Sequence, residues 1–203
     1  MSKSLLVVVV LLAAVAAAAA AGFWYVRATG LRARGEPAAL EARLARAVRR
    51  LALPRAVREQ RNPVPHSDEA RVQGRAHFAD HCASCHANDG SGNTEMGRSL
   101  FPPAPDMRLM ATQNLTDGEL FWIIENGIRF TGMPAWSTGT ADGELASWQL
   151  VHFIRRLPNL TQAEIEEMEP LNPRSPVEIR QDIEAERFLQ GGDAAAAPPG
   201  HVH

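Results

Sequence analysis

The chain has 203 residues, 45% of them hydrophobic, and a formal net charge of −2. That length accommodates one domain of ordinary size with appendages, and the near-neutral balance argues against a nucleic-acid partner. The charges are nevertheless segregated: ten arginines face three glutamates from Arg27 to Arg61, and eleven acids face five arginines from Ala141 to His203. Lys3 is the only lysine.

The first element is Leu5 to Val26, 22 residues without a charge. As a helix it spans roughly 33 Å, enough to cross the apolar core of a bilayer. Phe23, Trp24 and Tyr25 close it as an interfacial aromatic belt does, with Arg27 just beyond. A cleaved signal peptide is the competing reading, because Ala16 to Ala21 offers many small-residue cleavage sites. Length and aromatic exit favour an uncleaved single-pass anchor over residues 1–27. Its flanking charges conflict with the positive-inside rule, since Arg27, Arg32 and Arg34 outnumber Lys3.

Residues 28–65 form a basic segment and linker. Ala38 to Leu53, between Pro37 and Pro54, reads as a helix with Leu40, Leu44, Val48 and Leu51 on one stripe. Arg43, Arg46, Arg49 and Arg50 surround the stripe. Such a helix beside an anchor either lies on anionic headgroups or packs its stripe on the following domain or a partner subunit. Asn62-Pro63-Val64-Pro65 then breaks the pattern.

A helix opens at Ser67-Asp68-Glu69-Ala70, with acids in its first turn, and runs to about Cys82. There the chain reads His81-Cys82-Ala83-Ser84-Cys85-His86, with its only two cysteines three apart and a histidine directly after the second. C-x-x-C-H is the attachment signature of c-type haem: each thiol adds to a porphyrin vinyl group and the adjacent imidazole faces the iron. A thioredoxin-like redox pair would want a βαβ context that is not seen. A zinc site would have to draw its remaining ligands from His77 and His81 on the same short segment. A disulfide would leave His86 without a role.

From Ala87 to Gln113 no helical period survives, and Phe101-Pro102-Pro103-Ala104-Pro105 is a stiff stretch. Thr116-Asp117-Gly118-Glu119 is a capping box for a helix that stops near Gly127. Another begins around Asp142 and carries Trp148, Leu150, Val151, Phe153, Ile154 and Leu157 before Pro158. No useful strand alternation occurs, so the fold class is all-α. Residues 66–160 make up the domain, and 161–203 an acidic extension. Thr161-x-x-Glu164 caps a short helix to Met168, and a second runs from about Val177 to Gln190. Ile179, Ile183 and Phe188 make a narrow stripe suited to folding back on the domain or onto a partner. Asp193 to Pro199 is low-complexity and expected to be disordered, with His201 and His203 a plain tail.

From Ser67 to Leu160, about half its length, the chain resembles a class I c-type cytochrome, most closely the small membrane-bound bacterial members. The likeness rests on Gly74 and Phe78 in the first helix, Cys82-x-x-Cys85-His86, Gly132-Met133-Pro134-Ala135-Trp136, and Leu150-x-x-Phe153-Ile154. It implies a cytochrome c fold around one covalent haem c, with first and last helices crossing where Gly74 meets Leu150 and Phe153. It also implies that the second nitrogen of His86 donates to a proline carbonyl, with Pro102 and Pro103 as candidates, and that the Met133 loop presents the sixth ligand. The residues agree. Met133 follows a helix able to carry the chain to the opposite haem face, whereas Met96 and Met107 lie on the loop expected to wrap the His86 side. Met107, Met110 and Met168 read as core filling. Arg108, Arg129 and Trp136 are candidates for the haem propionates.

With Cys82 and Cys85 holding the haem and His86 and Met133 on the iron, no position stays open for bond chemistry. The expectation is a one-electron carrier rather than an enzyme. It would work alone or as the haem subunit of an extracytoplasmic respiratory oxidoreductase, with membrane and redox proteins as partners. The resemblance places the haem domain on the periplasmic side. The alternative is a haem-based sensor or catalytic haem protein in which Met133 is displaceable. Between His66 and Pro158 stand seven arginines, eleven acids and no lysine, so a docking face should be apolar or arginine-based.

Overall fold

The computed structural model describes residues 2–30, 32–33 and 35–190, and these carry helices, turns and no strand. Arg34 and the tail expectations for residues 193–203 fall outside the described residues. Helix α1 (Lys3–Thr29) is capped by Ser2 and ends on Gly30 in the left-handed region. It is long and apolar enough to cross a membrane, and none of its residues is buried by the rest of the chain.

Helix α2 (Ala39–Ala52) occupies the basic segment, and the short α3 (Arg55–Glu59) follows the buried Leu53. Sequence periodicity did not announce α3. It lies on the domain, because Gly118 leaves no room for a Cβ against the Val57 carbonyl. The chain continues along that surface. Asn62 Nδ2 donates to the Trp148 carbonyl at 2.9 Å, and His152 Nε2 meets the Val64 carbonyl at 2.8 Å.

Helix α4 (Asp68–His77) starts where Ser67 Oγ accepts from the Ala70 amide. It passes through one π-helical turn, Phe78–Cys82, into α5 (Ala83–His86). Such wide turns are rare and concentrate at functional sites. Two short helices, α6 (Glu95–Ser99) and α7 (Met110–Gln113), interrupt the stretch whose composition shows no helical period. Both are about one turn long, too short to leave a periodic signature. Then come α8 (Asp117–Asn126), with the expected Thr116/Glu119 capping box, and α9 (Ala141–Arg156), capped by Thr140. The extension adds α10 (Gln162–Glu166) and α11 (Pro176–Leu189), each opened by a capping box.

The core forms where α4 crosses α9. Gly74 seats directly on the Gln149–Leu150 backbone, and a Cβ there would run into the Gln149 carbonyl. One turn on, the Phe78 and Phe153 rings meet at 5.1 Å between centroids. Helix α8 closes a further side, with Phe121 stacked on Trp148 at 4.0 Å. Arg155 fastens α9 to the start of α8, donating from Nε to Asp117 at 3.0 Å and from Nη1 to the Gln113 carbonyl at 2.7 Å. Met107 and Met168 fill the core as expected. Met110 does not: it is 67% exposed, because one-turn α7 buries Thr112 instead.

Two apolar stripes are left outside the domain, which removes one of the alternatives open for each. Leu40, Leu44, Val48 and Leu51 on α2 are all exposed, so this helix does not pack its apolar side on the domain. Ile179, Ile183 and Phe188 on α11 are exposed too, so that helix does not fold back.

Placing a branched side chain at the α4–α9 crossing should separate the helices. Gly74→Val is expected to lower unfolding free energy by about 1–3 kcal/mol, the usual cost of overpacking, measured by denaturant titration of the purified chain. An unchanged midpoint would show that the crossing tolerates a Cβ.

Candidate functional site

The π turn and α5 bring Cys82, Cys85 and His86 onto the wall of a cavity of about 520 Å³, and Met133, Pro134 and Trp136 line it as well. That volume lies in the usual range for small-molecule and cofactor sites, about 300–1,000 Å³. Cys82 and Cys85 are free thiols one helical turn apart, so they point to the same side. Burial pushes the Cys82 thiol up to about 12, with Cys85 and Asp80 adding to the effect, and burial also raises Cys85. Among the described residues, no group of three or more His, Cys, Asp or Glu is placed to hold a metal ion.

Burial holds the His86 imidazole below its ordinary value, against an opposing pull from the Pro105 carbonyl. A neutral ring keeps a lone pair for a metal. Its Nδ1 is buried without a partner at full hydrogen-bond geometry, and Pro105 supplies the nearby acceptor in place of the Pro102 or Pro103 expected from sequence. The loop behind the ring is fixed by its backbone. Gly92 donates to the His86 carbonyl at 2.8 Å and Thr94 Oγ1 to the Cys85 carbonyl at 3.2 Å. Arg108 is held by Asp106 at 2.7 Å and Asp89 at 2.9 Å, and neither it nor Arg129 lines the cavity. Trp136 does, and the His81 ring meets it edge-on at 5.4 Å.

Met133 sits in a loop tied to the end of α8. Gly127 has φ +65°, and a Cβ on it would strike the Met133 and Pro134 backbone. Across this close approach Ile128 donates to the Met133 carbonyl at 3.1 Å, Met133 to Thr131 Oγ1 at 3.1 Å, and Thr131 Oγ1 to the Ile128 carbonyl at 2.8 Å. Further on, Trp136 donates to the Ile124 carbonyl at 3.0 Å and Ser137 to that of Glu125 at 3.2 Å. The Glu125 side chain accepts from Ser147 Oγ of α9 at 2.6 Å, carrying the tie into the core. Gly132 abuts the Leu100 side chain, so the two walls also touch. Of the other methionines, neither Met96, Met107 nor Met110 lines the cavity.

The sequence reading missed one wall. Ala42, Ala45, Arg46 and Arg49 of α2 line the same cavity. These four share one helical face, and the missed signal was that pairing of small residues with arginines opposite the leucine stripe. The donor set suits a covalently tethered porphyrin: two free thiols on one side, a buried imidazole with the Pro105 carbonyl nearby, and a thioether on a separately fixed loop.

A family model described as cytochrome C oxidase, cbb3-type, subunit III, matches residues 69–154. No curated protein matches the chain.

Thr131 closes both hydrogen bonds that shape the Met133 turn, so Thr131→Val should loosen it by about 1–2 kcal/mol. Amide hydrogen exchange at Met133 is expected to quicken about tenfold, with exchange in α4 and α9 unaltered. Equal acceleration throughout would assign Thr131 a general role in stability instead.

Proposed function

Residues 69–154 form a c-type cytochrome domain, and from that premise we propose that this chain passes single electrons through one covalent haem c, with α1 as a membrane anchor. The observation that carries the reading is that Cys82, Cys85, His86 and Met133 line one cavity from two separately fixed segments. When bound, the haem supplies an iron that gains and loses one electron. The Cys82 and Cys85 thiols tether its edge through thioethers, and His86 offers a neutral imidazole nitrogen to the iron. Met133 offers a thioether, a ligand that favours the ferrous state and raises the reduction potential. With His86 and Met133 both on the iron, no ligand position would remain for oxygen or peroxide, in keeping with electron transfer rather than sensing or catalysis.

Attachment of haem c outside the cytoplasm supports a periplasmic haem domain, although the arginines after α1 oppose that orientation. The outward apolar faces of α2 and α11 favour a second, finer reading. Leu40, Leu44, Val48, Leu51, Ile179, Ile183 and Phe188 are all exposed, more apolar surface than a free soluble carrier normally leaves in water. A haem subunit seated in a larger respiratory assembly would cover them. Phe130, 94% exposed and three residues before Met133, provides an apolar contact beside the cavity, in keeping with a docking face that lacks lysine.

Purified membranes should show the spectrum of covalent low-spin haem c. Met133→Ala should retain the haem, become high-spin in the ferric form and bind azide. A wild-type ferric form that is high-spin, or that binds azide without loss of Met133, would overturn His/Met ligation. Electron exchange with an acidic partner should depend only modestly on salt, and a steep dependence would argue against an apolar docking face.

A further inference from the structure

Helix α2 turns its leucine stripe outward and its Ala42, Ala45, Arg46, Arg49 face toward the cavity shared by Cys82, Cys85, His86 and Met133. Arg49 Nε is buried with no hydrogen-bond partner. Burial presses the Arg49 guanidinium toward its neutral form, Arg46 and Arg50 press the same way, and Glu119 of α8 opposes them. A guanidinium is a costly group to leave unpaired away from water, and its fork of donors matches a carboxylate. Arg46 and Arg49 thus stand on one rim of the cavity, with the buried Arg49 Nε left without a partner. Glu36 and Glu41 also line that rim, exposed as Arg46 is and, among the described residues, with no ion pair to either arginine, and Asp106 is already matched by Arg108.

We propose that Arg49, with Arg46 beside it, binds the haem propionates, making α2 a lid that the cofactor itself latches. The proposal rests on the haem reading above. A haem carries two carboxylates on the edge remote from its vinyl groups, so they leave the macrocycle away from Cys82 and Cys85 and need cations from another element. Within the domain, Arg108 is committed to Asp89 and Asp106, Arg129 does not line the cavity, and there is no lysine. Helix α2 supplies what the domain lacks. It makes few contacts with the protein through its apolar side, and a charged latch through its inner face gives it a reason to stay closed.

A cation beside the haem favours the ferrous state, which carries one positive charge fewer. Redox titration of the full-length, haem-loaded protein should therefore find the R49M midpoint displaced to more negative potential, and that of R46M/R49M displaced further. R49K should stay near wild type. R43M, which removes an exposed arginine that does not line the cavity, should not shift. Hydrogen exchange of α2 amides should quicken in R49M while that of α4 and α9 stays unchanged. If R49M does not accumulate, R49Q and R46M put the same question. Midpoints and α2 exchange equal to wild type in R49M and the double variant would overturn the latch, as would an R43M displacement as large as that of R49M. A wild-type chain purified without covalent haem would instead overturn the reading on which the latch rests.

Discussion

The contact between Gly74 and the Gln149–Leu150 backbone sets the geometry of everything around the cavity. Two helices that touch through a glycine lie closer than side chains would otherwise allow, and this lets Phe78 and Phe153 pack one turn further on. Phe78 begins the π turn that ends at Cys82, so the aromatic pair at the crossing and the first thiol belong to one local device. The close crossing positions α4, the wide turn redirects the chain, and α5 then carries Cys85 and His86 to the cavity wall.

The two halves of the site are held by different means. On the His86 side a long loop with little helix is fixed by individual backbone bonds, such as Gly92 to His86 and Met107 to Gly90, each at 2.8 Å. On the Met133 side the loop hangs from α8 through Gly127, Ile128 and Thr131, and from α9 through Glu125 and Ser147. Both depend on the α4–α8–α9 core, and they meet where Gly132 abuts Leu100 and where the His81 ring meets Trp136. A thioether is a weak ligand that adds little to its own positioning. A loop already shaped by hydrogen bonds loses less conformational freedom on presenting it.

Much of this was legible in the chain itself, and the reasons are local. Ser67 caps its helix through the Ala70 amide, and Thr116 and Thr161 do so with Glu119 and Glu164, all through side-chain bonds confined to three or four residues. The C-x-x-C-H spacing needs no tertiary knowledge, and the bracketing of Met133 by Gly132 and Pro134 describes a loop from within. The misses were those where a distant partner decides. Whether Pro102, Pro103 or Pro105 faces His86 depends on how a proline-rich loop turns, to which periodicity is blind. Arg108 was a candidate propionate partner by sequence, but Asp89, 19 residues earlier, holds it instead. Met110 looked apolar enough for the core, but a one-turn helix has room to bury only part of its face.

Helix α2 inverts the usual reading of an amphipathic helix. A leucine stripe is ordinarily taken as the side that meets the protein, yet here the alanine–arginine face does so and the leucines stay outside. The inversion is reasonable where the buried surroundings hold an anionic cofactor edge and where a second apolar medium lies nearby. Nine residues, 30–38, separate α1 from α2, and fully extended they reach roughly 30 Å. Were α1 to span a bilayer as proposed, α2 would be held near the membrane surface, its outer leucines free to meet lipid or an intramembrane neighbour and its inner arginines free to meet the proposed haem. A tether ending in a piece of the proposed cofactor pocket would do more than limit diffusion: it would tie the exposure of the haem edge to whatever holds the leucine face.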